Sequence, residues 1–229
     1  MNKDKEEKGL VGCVCLTYKN IDMFRNAVKC FSEQTYNDKI LIVIDNSSPL
    51  YRHYKMQILN ILEELKIKHY HYHRVEPNKT LGEYRQVGLE DCLMFDCQYM
   101  ATWDDDDLSG KDRLKNQISE LKDGKTMCFL RNFVIRYAFK GTYDFLCRME
   151  NGLACTMVCE IATNCKRVRF SYKRIGEDVD FYNEWKKEYG EDSVAYVGNN
   201  PSDYIYIGHG TNITGYKHFT RLIEIFKID

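Results

Sequence analysis

The sequence predicts an α/β fold with a mostly parallel, Rossmann-like sheet flanked by helices, and three observations predict it. Strand-length apolar runs alternate with segments of helical spacing through the first half of the chain, the pattern of βαβ units. The runs are continuously apolar, as in strands buried on both faces. Each of the main runs also ends abruptly in residues rich in oxygen and hydrogen-bonding groups, where an open parallel sheet binds its ligands.

The elements follow in order. "LVGCVCLT" (10–17) has the length and continuity of a buried strand, and 21–32 carries Ile21, Phe24, Ala27, Val28 and Phe31 at helical spacing. "KILIVIDN" (39–46) is a second buried strand, followed by a helix around 54–66 with Met56, Leu59, Leu62 and Leu65. "HYHYHRV" (69–75) alternates with period two and reads as a strand. A helix from about 81 to 95 leads into a strand at 98–103, and another helix spans about 111–122. Beyond it the pattern loosens. "TMCFLRNFVIRYAF" (126–139) reads as one long strand, "ACTMVCEIA" (154–162) as another and 177–189 as a helix, with weaker strands at 194–197 and 204–208.

Composition narrows the class. A length of 229 residues with 44% hydrophobic content suits one globular domain, alone or with a small appendage. The net charge of −1 implies neither a nucleic-acid partner nor a membrane surface. No run approaches the ~20 apolar residues of a membrane helix, and "MNKDKEEKG" lacks the apolar core of a secretory leader. The ten cysteines include no C-x-x-C pair, which argues against a thiolate zinc site. Several lie inside apolar runs, where a thiol behaves as a small buried hydrophobe. So many unpaired thiols fit a reducing compartment, and the expected location is the cytoplasm.

Three strand ends converge on one edge of the predicted sheet. The first is Thr17-Tyr18-Lys19-Asn20, the second Asp45-Asn46-Ser47-Ser48 and the fourth Asp104-Asp105-Asp106-Asp107. Two carboxylates ~6 Å apart repel by roughly 0.7 kcal/mol in bulk water and by about 3 kcal/mol at an effective dielectric of 20. As a solvated turn the run costs little, with Asp107 or Ser109 capping the helix near Lys111. Lining a cleft, it requires a cation, and all-oxygen ligands favour Mg²⁺ or Mn²⁺ shared with substrate phosphates. A further carboxylate pair, Glu177-Asp178, opens the 177–189 helix. There it either complements the helix dipole or points a general base into the cleft.

Taken in order, "CLTYKN", "IVIDNSS", "NKTLGEYRQVGL", "YMATWDDDDLSGKDRL" and "GEDVDF" resemble the family-two glycosyltransferases, a nucleotide-sugar-dependent group with the GT-A fold. The resemblance spans about 11 to 185. It implies a nucleotide-binding half over about 10–107 and a smaller mixed, acceptor-binding half over about 108–229, together forming a single GT-A domain. It further implies inverting transfer of a hexosyl or deoxyhexosyl group from a nucleoside-diphosphate donor, with UDP favoured, to a hydroxyl of a glycan or other acceptor. By position, Thr17 and Tyr18 would line the nucleotide pocket, Asp45 and Asn46 would reach the base, and Arg85 would sit beside the nucleotide-sugar. Asp104 and Asp105 would face ribose and sugar. Asp106, with Asp104, would hold Mn²⁺ or Mg²⁺, and Asp178 would be the catalytic base. Asn46 stands where the family commonly has a second Asp, and four consecutive aspartates leave the metal register open by one residue.

His209, between glycines in "YIYIGHGTNITG", is a further candidate metal ligand. "NCKRVRFSYKR" (164–174) reads as a solvated basic loop, or a flap over the diphosphate. His69, His71 and His73 share one face of a strand and could in principle form a zinc- or nickel-like cluster. With no carboxylate or thiol partner near in sequence, an exposed strand face is the expectation. Trp185 and the 17 tyrosines suit either sugar stacking or core packing. Asn212-Ile213-Thr214 matches the N-glycosylation pattern, which has no meaning in a reducing compartment. A nucleotidyltransferase is the competing enzyme class, although "TYKNIDMFR" lacks the Gly-rich loop that holds a triphosphate. A non-catalytic nucleotide-sugar-binding module is the competing non-enzyme.

Overall fold

The computed structural model describes residues 9–139, 141–162, 167–210 and 212–228. The first half forms as the patterning predicts: β1 (Val11–Thr17), α1 (Ile21–Ser32), β2 (Lys39–Asp45), α2 (Arg52–Glu64), β3 (Tyr70–Arg74), α3 (Leu81–Met94) and β4 (Tyr99–Thr102). Then come β5 (Leu108–Ser109), α4 (Arg113–Ser119), β6 (Met127–Leu130), β7 (Asn132–Tyr137), β8 (Tyr143–Arg148), β9 (Val158–Glu160), α5 (Glu177–Tyr189), β10 (Val194–Val197), β11 (Tyr204–Gly208) and α6 (Gly215–Phe226).

Seven strands form the main sheet in the order β10-β6-β9-β4-β1-β2-β3. β1 runs parallel to β2 and β4, β2 parallel to β3, and only β9 is antiparallel to its neighbours. Alternating residues of the central strands feed two cores. Cys13, Cys15, Leu41 and Val43 meet Phe24, Val28, Ile58 and Leu62 of α1 and α2 on one face. On the other face Val14, Ile42 and Ile44 meet Tyr84 and Leu89 of α3, in a cluster that also holds Phe181 and Trp185 of α5. Two glycines let α3 sit close on β1: a Cβ on Gly88 would lie 2.3 Å from Val14 Cγ1, and one on Gly12 2.3 Å from Cys92 Sγ. Trp185 is core; its indole N–H donates to Thr126 Oγ1 at 3.1 Å.

A second, mixed sheet has the order β5-β11-β7-β8 and buries Leu130, Phe133, Ile135, Tyr204 and Phe219. The strand expected over 126–139 breaks at Arg131 and serves both sheets. Arg131 N donates to Val197 O at 2.9 Å and Asn132 N to Asn199 Oδ1 at 3.1 Å, so β6 stays in the main sheet while β7 enters the second. The strand expected over 154–162 is a 3₁₀ turn at Ala154–Thr156 followed by the short β9. Buried Thr156 fixes that turn, accepting from Leu130 N at 3.0 Å and donating to Leu153 O at 2.6 Å. β5, β8 and α6 lie where the patterning predicts no element. β8 pairs along its length with β7 and turns Cys147 and, in part, Phe145 into the second core, while Tyr143 and Leu146, 58% and 48% exposed, blur the alternation.

Candidate functional site

The four aspartates fan out in four directions from the end of β4. Trp103 sets their base: it is buried and donates from its indole N–H to Ala27 O at 3.0 Å. Asp104 reaches α3, where Arg85 Nη2 donates to Oδ1 at 2.6 Å. Asp105 turns toward the end of β1, and hydrogen bonds from Thr17 and from the Tyr18 backbone favour its charged form. Asp106 meets His209 Nε2 at 3.1 Å and Asn212 Nδ2 at 3.0 Å, both from the segment after β11. Asp107 is buried, with Tyr204 O–H donating to Oδ2 at 2.6 Å and Ile207 N–H to Oδ1 at 2.8 Å. The capping role offered for Asp107 or Ser109 is therefore corrected. Asp112 holds the N-cap position of α4 and makes no side-chain capping bond, while Asp107 joins the second sheet to the first.

Electrostatics sort these acids. Burial, then the neighbouring Asp106, pushes the Asp105 carboxyl up to about 8. Burial also raises Asp104, against the opposing pull of Arg85, and raises Asp107 well above the usual carboxylate range. Asp105 Oδ2 is buried with no protein hydrogen-bond partner. A crowd of carboxyls with an orphaned oxygen is stabilised by positive charge delivered from outside the chain. Asp106 stands beside the His209 imidazole, and carboxylate oxygens are the ligand type that suits Mn²⁺ or Mg²⁺. One atom each from Asp104, Asp107 and Cys155 also lies within 4.8 Å of the others.

Arg85 is 4% exposed and lies between two acids, with Asp104 on one side and Glu177 Oε1 3.6 Å from its Nε. Its Nε–H and Nη1–H are buried and lack hydrogen-bond partners. The helix that carries it starts in a capping box: Thr80 Oγ1 accepts from Glu83 N while Glu83 accepts from Thr80 N. Glu177 opens α5 after Gly176, whose φ of +81° is the left-handed region that glycine favours. Burial, more than any neighbour, pushes the Glu177 carboxyl up to about 7. Asp178, on the same first turn, is partly exposed, and its charge is felt at Asp104, Arg85 and Cys155. Its carboxylate accepts a local hydrogen bond, from the Val179 N–H at 2.8 Å.

The ends of β1 and β2 lie side by side next to the aspartates, with Thr17 in register with Asp45. Thr17 Oγ1 lies 2.7 Å from Tyr54 O–H, and Tyr18 stands 55% exposed at the mouth. Lys19 adopts a left-handed φ of 58° and carries Nζ to 3.6 Å from the Tyr51 ring centroid. Asn46 Oδ1 is buried without a partner. Asp45 differs from a free, base-reading carboxylate. It is fully buried, Oδ2 accepts from Tyr72 O–H at 2.6 Å and Arg74 Nη2 at 2.7 Å, and Oδ1 accepts from Ser47 N at 2.9 Å. Tyr72 and Arg74 were visible in sequence only as one face of an alternating strand; their partner lies on the neighbouring strand, in register with Arg74.

Other candidates settle as follows. In the described part of the basic loop, Arg167 pairs with Glu188, Arg169 with Glu90 and Lys173 with Asp180, all largely exposed, while 164–166 lie outside the described residues. The expectation that His71 and His73 lack a carboxylate is corrected. Asp91, one helix away on α3, lies 2.9 Å from His73 Nδ1 and 3.7 Å from His71 Nε2.

No family profile and no curated protein matches the chain. Several solved structures do match. TarS of S. aureus aligns at 17% identity and a TM-score of 0.64, over 86% of this chain and 36% of that one. TarS 1-349 in complex with UDP-GlcNAc aligns at 16% identity and 0.66, over 94% and 65%. The mannosyltransferase PcManGT from Pyrobaculum calidifontis, in complex with GDP-Man and Mn²⁺, aligns at 12% identity and 0.67, over 93% and 60%. This chain thus spans between about a third and two thirds of the proteins it resembles. At these identities the likeness establishes the fold.

Proposed function

We propose that this chain, whose fold is that of the GT-A glycosyltransferases, transfers a sugar from a nucleoside-diphosphate donor to an acceptor hydroxyl with inversion at the anomeric carbon. The observation that carries the proposal is a set of orphaned buried groups at adjoining residues, Asp105 and the Arg85 that holds Asp104. Asp105 Oδ2 and two Arg85 N–H groups are buried without partners, and a polar atom in that condition costs roughly 1–3 kcal/mol. A sugar diphosphate offers hydroxyls to the first and anionic oxygens to the second. The UDP-GlcNAc and GDP-Man complexes of the similar structures support a donor of this class, and a UDP-sugar is the proposed one.

Thr17, Tyr18 and Asn46 line the nucleoside end, with Asn46 Oδ1 free to accept an N–H from the base. Asp45, held by Tyr72 and Arg74, fixes the wall behind it. Asp104 and Asp105 face ribose and sugar. Arg85, aimed by Asp104 and Glu177, presents its unpaired Nη1–H to the diphosphate. Asp106 and Asp104, with His209 adjacent, would hold Mn²⁺ or Mg²⁺, which when bound supplies Lewis-acid stabilisation of the charge developing on the leaving diphosphate. Asp178 accepts the acceptor's hydroxyl proton as that oxygen bonds to the anomeric carbon from the face opposite the departing phosphate oxygen. Fixing the donor in this cleft also aligns the reacting carbon, which lowers the entropic part of the barrier.

The acceptor is a hydroxyl of a glycan or a related molecule, and no nucleic acid is invoked. Nine cysteines are free among the described residues, and a cytoplasmic setting belongs to the same reading. No helix among them is long and apolar enough to cross a membrane.

A screen of UDP-, GDP- and dTDP-sugars for donor hydrolysis and transfer, with and without Mn²⁺, tests the activity. Asp178→Asn is expected to keep the nucleotide-dependent rise in melting temperature while lowering turnover by roughly 10²–10⁴. Wild-type turnover in that variant would refute the assignment of the base. Nucleotide binding with no turnover of any donor in the wild type would favour a non-catalytic binding module.

A further inference from the structure

We propose that His71, His73 and Asp91 form a second metal site, one for a borderline transition-metal ion such as Zn²⁺, at the edge of the main sheet and separate from the aspartate fan. His71 and His73 alternate on β3, the last strand of the sheet, and both face α3. Asp91 reaches them from the third turn of that helix, with Oδ2 2.9 Å from His73 Nδ1 and 3.7 Å from His71 Nε2. One ligand atom from each residue lies within 4.8 Å of the others.

The geometry is near that of a bound ion. Zinc bonds of about 2.0–2.1 Å in a tetrahedral shell place neighbouring ligand atoms about 3.4 Å apart, and the observed 2.9 and 3.7 Å bracket that separation. Two rotatable imidazoles on a strand edge close the remainder by side-chain motion alone. The donor set, two nitrogens and one carboxylate oxygen, selects zinc, cobalt or nickel over the hard ions that suit the aspartates. Access is available, since the side chains of His71 and His73 are 26% and 42% exposed. The need is also present. Asp91 is 9% exposed, and its ion-pair partners among the described residues are these two histidines alone, which are neutral unless protonated. A dication neutralises a nearly buried carboxylate that the chain itself supplies with no permanent positive charge.

Three protein ligands leave a fourth position open to solvent, and the bound ion would pin an edge strand to the helix that carries Arg85. An edge strand presents unpaired backbone groups, so a clamp there holds the part of the sheet least secured by neighbours.

The test uses the full chain stripped with a chelator and titrated with Zn²⁺ by calorimetry, and with Co²⁺ by visible absorption. The expected result is one zinc per chain at this site and a cobalt spectrum of nitrogen and oxygen ligation, lacking the near-ultraviolet charge-transfer band of thiolates. His71→Ala leaves the His73–Asp91 hydrogen bond intact and so preserves the fold, yet should weaken zinc binding at least tenfold. Asp106→Ala should leave the zinc affinity unchanged. Wild-type zinc affinity in His71→Ala, loss of the site in Asp106→Ala, a thiolate cobalt spectrum or no zinc binding by the wild type would each overturn the proposal.

Discussion

Under the proposed function the four consecutive aspartates divide between architecture and chemistry, and a pair of substitutions separates the two roles. Asp107→Ala removes the acceptor for two donors: the hydroxyl of Tyr204, which is 0% exposed, and the part-buried Ile207 backbone N–H. Each donor left unsatisfied costs about 1–3 kcal/mol, so the loss is about 4 kcal/mol, reduced to the extent that removing a costly buried carboxylate offsets it. For a domain of this size each kcal/mol lowers the melting temperature by about 2–4 °C, which predicts a fall on the order of 10 °C. Asp106→Asn removes a negative charge from a side chain that is 26% exposed, and its remaining amide oxygen still accepts from Asn212. The expected loss is about 1 kcal/mol of stability, accompanied by loss of metal-dependent transfer. Differential scanning fluorimetry and a transfer assay on both variants make the comparison. If Asp107→Ala melts within 3 °C of wild type, or Asp106→Asn melts as low as Asp107→Ala, the division is wrong.

Three further outcomes follow from the same contacts. The Glu177 carboxyl stands at about 7 in the folded protein against 4.5 ordinarily. It therefore favours the folded state below about pH 4.5 and loses that contribution as pH rises through 7, on the order of 3 kcal/mol. The stability of Glu177→Gln minus that of wild type should increase between pH 4.5 and 7.5, and a flat difference in urea titrations would refute the shift. Arg74→Leu leaves the fully buried Asp45 carboxylate without its cation and should cost about 3–5 kcal/mol; a melting temperature within 2 °C of wild type would deny the pair that role. Gly82→Ala would put a Cβ 1.7 Å from Ser171 O, forcing the 171–173 segment away from the start of α3. A loss of about 1–3 kcal/mol is expected, and denaturation at the wild-type urea midpoint would show that the segment yields freely.

Much of the α/β half was legible because its signals are local. The runs of β1 and β2, the spacing of α1 and the span of α5 each depend on neighbours a few residues away, and the structure places them within a residue or two of expectation. The convergence of Thr17, Asn46 and the aspartates followed from the same logic, since parallel strands end on one edge. The individual duties of the four aspartates did not follow. Asp104 and Asp107 look alike in sequence, yet one meets Arg85 19 residues upstream and the other meets Tyr204 97 residues downstream. Arg131 shows the same limit, because nothing local marks the point where one apparent strand divides between two sheets.

By itself the chain's pattern of apolar and polar residues determined the alternation of strand and helix, the burial of the sheet on both faces, and the edge where the site had to lie. Tertiary structure alone decided that Asp107 is a strut to Tyr204 while Asp104 meets Arg85, that Asp45 is held by Tyr72 and Arg74, and that Asp91 meets two histidines across a helix–strand contact. The reason is one of range. Periodicity is written over a few residues and survives in one dimension, whereas partners of a buried charge are set by strand register and helix placement, which arise only when distant segments pack.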